Sequence, residues 1–177
     1  MAKTISTHPI IIQADRVLKQ LYLPRIVRCL DQLSQEQIWW RPSETSNSVG
    51  NLVLHLSGNV RQWIISGLGG ATDIRQRDLE FTQRKPLPRR LLIGRLRTTV
   101  SEASRILHKL SPEDLARGHR IQKFRVTGME AVFHVAEHFS HHAGQIILLT
   151  KLLTGKDLKF THLPGEKKNK SQKLRAL

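Results

Sequence analysis

Apolar residues recur at helical spacing along almost the whole chain up to Gly155. Between Pro9 and Leu33 the positions Ile12, Val17, Leu18, Leu21, Ile26, Leu30 and Leu33 recur at helical spacing, which predicts an amphipathic helix that Pro24 kinks. Ser34 followed by Gln37 is a capping-box pattern, so SQEQIWW reads as a short helix ended by Arg41-Pro42. SNSVG opens a second long segment, 47–67, where Val49, Leu52, Val53, Leu56, Val60, Trp63 and Ile64 form one stripe before Gly67, Gly69 and Gly70 stop it. Residues 71–88, ATDIRQRDLEFTQRKPLP, show no sustained period and read as a long loop, either functional or an interface element. A third helix with a broken apolar stripe is expected from Arg89 to Leu110, and Ser111 of SPED caps a short turn after it. IQKFRV offers one short strand. Thr127 and Glu130 then make a capping box for a last long helix, which Gly155 stops. Four long helices without an internal repeat predict an all-α four-helix bundle with short connecting helices.

Length and charge refine this picture. The 177 residues suit one domain, and the single cysteine, Cys29, excludes an internal disulfide framework. Cys29 sits between Val27 and Leu30 and reads as a packed thiol. No charged-apolar-small leader opens the sequence, and its longest apolar runs, such as IILLT at 146–150, fall short of the roughly 18 residues of a membrane span. A cytoplasmic protein without a membrane span is expected. The net charge of +15 points toward anionic partners, but its distribution matters. Residues 156–177 carry seven basic side chains against Asp157 and Glu166 and have almost no apolar period, which predicts a disordered basic tail beyond a bundle of residues 1–155. A second basic run, Arg84, Lys85, Arg89, Arg90, Arg95 and Arg97, reads either as a solvated helix face or as a surface for anions or nucleic acid. The chain lacks the aromatic-basic interleaving of single-strand binders, which weighs against nucleic acid.

Four of the nine histidines fall within HVAEHFSHH, residues 134–142. On a wheel of about 100° per residue with His134 at zero, the stripe of Val132, Val135, Ala136, Phe139, Ala143, Ile146 and Ile147 covers roughly 100° to 220°. His142 then lies near about 80° and His138 near about 40°, beside the stripe, with His134 and His141 further out. His138 and His142 are one turn apart on one face and can converge on a single ion. Spacing alone leaves them equally readable as a polar edge of the helix. His55, among Leu52, Leu54 and Leu56, reads by itself as a hydrogen-bonded core residue. Trp39, Trp40 and Trp63 read as packing residues before cleft residues, and Gln145, three residues after the pair, reads either as orienting one of its imidazoles or as contacting a partner subunit.

Together, NSVGNLVLHLSGNVRQWI, GGATDIRQRDLEF and HVAEHFSHHAGQIILLTKLLTG resemble the DinB/YfiT-like superfamily, in a bacterial branch mostly of unassigned function. The likeness runs from about residue 10 to 155 and does not cover the tail. It implies a four-helix bundle whose metal site takes His55 from the second helix and His138 and His142 from the last, with His141 outside the set. Their nitrogens should then come within about 3 to 4 Å of one another, given metal–nitrogen bonds of about 2.1 Å. Three neutral imidazoles leave coordination positions open and suit zinc or nickel, while also admitting iron or manganese. The superfamily includes transferases and isomerases that use a low-molecular-weight thiol such as bacillithiol or mycothiol, and its members are often homodimers. The resemblance therefore implies a metal-dependent thiol transferase or isomerase. The 71–88 loop, with Asp73, Arg75, Arg77, Asp78 and Glu80, reads as a candidate lid over such a site or as a dimer-contact loop with solvated charges. The alternatives are a non-catalytic metal-binding or interaction protein and a basic nucleic-acid adaptor.

Overall fold

Pro9 occupies the first position of a helix, where its missing N–H leaves no bond unmade, and the His8 ring accepts from the Ile10 N–H. The structure, a computed structural model, describes residues 8–160. The first rod comprises α1 (Pro9–Asp15), a π-helical stretch (Arg16–Tyr22) and α2 (Leu23–Gln32). The kink expected at Pro24 takes the form of this wider winding. The Leu23 N–H reaches back five residues to the Leu18 carbonyl, and Pro24 falls in the first turn of α2.

Capping boxes set the next starts. Ser34 and Gln37 exchange both bonds at α3 (Gln35–Trp39), and Ser48 and Asn51 do so at α4 (Val49–Val60). Every residue of α4 is buried, which is why its sequence is apolar or small nearly all round. A π-helical stretch, Arg61–Ser66, extends it.

Residues 71–88 are not a structureless loop. Arg77–Thr82 forms α5, held by tertiary bonds instead of an apolar stripe: the Asn51 amide donates to the carbonyls of Glu80 (2.8 Å) and Gln83 (3.2 Å). α6 (Arg89–Leu107) ends three residues earlier than expected, and its stripe is regular once Thr99 and Ala103 are counted with Leu92, Leu96, Val100 and Leu107. Arg84, Lys85, Arg90, Arg95 and Arg97 are exposed, as a solvated face requires, while Arg89 donates to the Leu33 carbonyl.

After α7 (Pro112–Ala116), β1 (Gly118–Ile121) and β2 (Phe124–Thr127) pair antiparallel, with His119 opposite Val126. IQKFRV is thus the turn end of a hairpin, not one strand, and Gln122 adopts a φ of 55° to make the turn. Thr127 and Glu130 cap α8 (Gly128–Thr154), and Gly155 ends it in the left-handed conformation at φ 64°, where a side chain would be strained.

The first rod, the α4 rod, α6 and α8 form the expected four-helix bundle, with α4 packed between α6 and α8. Cys29 is fully buried, Trp63 is in the core, and Trp40 is exposed. Among the described residues no helix is long and apolar enough to cross a membrane. Contacts with the bundle continue past residue 155. Leu158 is buried, the Arg25 guanidinium donates to the Phe160 carbonyl at 3.1 Å, and Arg25 and Arg28 stand over the Phe160 ring. Two apolar residues suffice to dock this stretch despite its lack of period. The rest of the expected tail, 161–177, lies outside the described residues.

Candidate metal centre

Because α4 and α8 pack side by side, residues from the two helices meet in the bundle interior. His55 is 4% exposed, whereas His138 and His142, on the edge of the α8 stripe, are half-buried. The His55 ring centroid lies 4.9 Å from each of the other two, which are 4.5 Å apart. One nitrogen from each residue can be chosen so that all three lie within 4.8 Å of one another. His55 Nε2 and His138 Nε2 are 2.9 Å apart. The outer limit exceeds the expected spacing of about 4 Å, a gap within reach of small side-chain rotations. All three residues singled out by the sequence are brought together.

Hydrogen bonds decide which nitrogen each ring offers. His55 Nδ1 lies 2.8 Å from Glu80 Oε2, and a carboxylate only accepts, so Nδ1 carries the proton and Nε2 keeps its lone pair. Arg75 Nη2 is 3.1 Å from the same Nδ1, but these are two donors side by side, both directed at Oε2. His142 Nδ1 lies 2.8 Å from Gln145 Oε1, which frees its Nε2, while the Gln145 amide donates to His141 Nε2 at 3.1 Å. Gln145 therefore has the orienting position expected of it. Two lone pairs at 2.9 Å repel, so a proton on His138 Nε2 bridges to His55; a cation held by these residues would displace that proton.

Electrostatics disfavour a charge on His138 and His142. Burial first, then His142, His55, His134 and the Arg75 charge, push His138 down to about 3. Burial also lowers His142, against a hydrogen bond to Gln145 that raises it. Burial by itself would raise the Glu80 carboxyl, yet its bonds to Arg75 and His55 hold it below the usual range, so it stays charged.

His134 lies deeper than the wheel placed it. It packs at a tilt against Trp63 with centroids 4.0 Å apart and stacks on His138 at 5.3 Å, and it walls the site beside Asn59. His141 is exposed and, among the described residues, hydrogen-bonds only to Gln145. Sequence reasoning placed Glu80 and Arg75 within a segment read as a lid or a dimer contact and missed their contact with His55. No local spacing signals that contact, which depends on α5 folding back onto α4.

A family model described as "Protein of unknown function (DUF1572)" matches residues 12–167. The chain belongs to the DUF1572 family. This match runs past residue 155, in keeping with the docked Leu158. Among solved structures, the DUF1572 chain is similar to a DinB-like protein, YjoA, from Bacillus subtilis, with 20% identity and a TM-score of 0.61 over 84% of this chain and 94% of that one. A DinB-like protein from Bacillus cereus ATCC 10987 gives 16% identity and a TM-score of 0.61, over 81% and 90% of the two chains. At these identities the likeness shows the fold, and the chain is a DinB-like four-helix bundle. No curated protein matches it.

Proposed function

We propose that His55, His138 and His142 hold a divalent cation with an open coordination position, and that the chain uses it as a thiol-dependent S-transferase or isomerase. The observation that carries the reading is the convergence of three imidazoles, two of them with Nδ1 tied by Glu80 and Gln145 so that Nε2 faces inward. Such a donor set fits zinc or nickel and admits iron or manganese. When bound, a divalent cation lowers the pKa of a thiol or water at its open position, so that the nucleophile is an anion at neutral pH. The chain's own residues do the rest. Glu80 and α5 seal the His55 side, and the half-exposed His138 and His142 leave access from the α8 side.

Elemental analysis of untagged protein, followed by thiol-dependent loss of monochlorobimane with and without the metal, tests the reading. Metal-dependent conjugation supports it in full. A stoichiometric metal without reaction across a panel of thiols and electrophiles leaves a non-catalytic metal-binding module, and failure to retain any divalent ion overturns both. A homodimer belongs to the same proposal. Its support is the exposure of Leu148 and Leu152, one turn apart on α8, and light scattering at micromolar concentration checks it.

A further inference from the structure

We infer that Glu80, clamped by Arg75, is a positioning residue for the three-histidine centre, and that Gly58 is the gap in α4 that admits it. The inference rests on the metal reading for its purpose, but the geometry it concerns belongs to the metal-free chain.

Glu80 is 8% exposed and bound on every side. Its Oε2 takes the His55 proton at 2.8 Å, and Arg75 grips it with two bonds, Nε to Oε1 and Nη2 to Oε2, both 2.8 Å. Arg75 is fixed in turn. Its Nη1 donates to Gln62 Oε1 at 2.8 Å, its main-chain N–H donates to Asp73 Oδ1 at 3.0 Å, and the Gln62 amide donates to Asp73 Oδ2 at 2.7 Å. Gln122 in the hairpin turn donates to the same Gln62 oxygen. A two-bonded guanidinium–carboxylate pair holds both distance and direction, which a single contact does not.

Gly58 explains why the pair can approach α4 so closely. It lies three residues after His55, on the same face, and a Cβ there would stand 1.9 Å from Glu80 Oε1 and 3.0 Å from Arg75 Nε. Any side chain at 58 pushes the carboxylate off His55. Segment 71–88, expected as a lid or a dimer contact, is in this part a fixed brace, since lifting it would strip the buried Glu80 of its bond to His55 and Arg75 of its bond to Gln62. A partner on Nδ1 sets the tautomer and ring direction of a ligand histidine, and removing such partners typically weakens metal affinity about 10- to 100-fold.

The test uses the full chain and Zn2+ alone, with affinity from competition against a chelating dye. Gly58→Ala, and Glu80→Ala combined with Arg75→Ala so that no charge is left unpaired, should each bind about 10- to 100-fold more weakly. Glu80→Gln keeps an acceptor of the same reach and should recover part of that loss. Gly58→Ala should fold, because the obstructing atom is the end of a flexible side chain. Long-range proton–nitrogen spectra of the metal-free protein give the second readout. Wild type should show His55 protonated at Nδ1, and the double variant should lose that preference. Affinity within twofold of wild type in both Gly58→Ala and the double variant, or His55 protonated at Nε2 in wild type, overturns the inference. If wild type binds no Zn2+, the metal reading fails by itself, and the tautomer comparison still decides the positioning role: an unchanged tautomer in the double variant overturns it.

Discussion

The Nε2 atoms of His55 and His138 face each other at 2.9 Å although 83 residues separate them in the chain. This pairing closes the histidine cluster. His142, one turn further along α8, completes the trio because α8 runs unbroken through both positions. Each ring comes from a helix whose neighbouring residues are buried, so the rigidity of the bundle core is passed to the imidazoles.

Replacing His138 with alanine should abolish retention of a divalent ion, since two ligands bind far more weakly than three. The metal-free variant should keep a cooperative fold, because Val135, Phe139 and Ala143 remain buried on the same helix. His141→Ala is the matched control and should keep its metal. Elemental analysis after dialysis reads the result, and wild-type stoichiometry in His138→Ala would sink the ligand assignment.

Metal should stabilise the fold through mass action. At a free Zn2+ concentration of 100 times Kd the gain is about 2.7 kcal/mol. For a chain of this size that raises the melting temperature by roughly 5 to 10 °C. Calorimetry with Zn2+ and then with excess chelator checks it, and His138→Ala should show no such rise.

Acid should destabilise the metal-free protein in a defined window. His138 is pushed down to about 3, and His134 and His142 are also lowered, chiefly by burial. Unfolded imidazoles take up protons near about 6.5. Below that pH the unfolded chain binds more protons than the folded one, so stability falls as pH drops from about 6.5 toward about 3. Glu80, whose pKa is also lowered, adds a loss of the same sign below the ordinary carboxylate range. Melting temperatures between pH 8 and pH 4 measure the slope. His138→Ala should flatten it, and a flat wild-type profile would refute the argument.

Leu158→Ala should cost about 2 kcal/mol or more, the usual loss for a buried leucine, although the residue lies beyond the last helix. Denaturant unfolding gives the value. A change under about 0.5 kcal/mol, typical of surface sites, would mean that the segment does not dock in solution.

Much of the fold was legible because its signals are local. Capping boxes at Ser34 and Thr127, the glycine stop at 155 and the apolar stripes act within one or two helical turns, so a short window contains both partners of each interaction. The placement of His138 and His142 beside the core stripe followed from the same period. His55 was different. Its own neighbours suggested a core histidine, and only the resemblance of the whole pattern joined it to the pair.

The sequence by itself determined four helix-forming stripes, most of their starts and stops, and two histidines aimed to one side of the last helix. Tertiary structure alone decided that Glu80 and Arg75 brace His55, that His134 packs inward against Trp63, and that Leu158 docks after the helix ends. The physical reason is range. A helix of six residues such as α5 has too few turns to show a period, and a hydrogen bond between side chains 25 residues apart leaves no repeat along the chain. Such contacts come into being only when packing of α4 against its neighbours brings the partners within bonding distance.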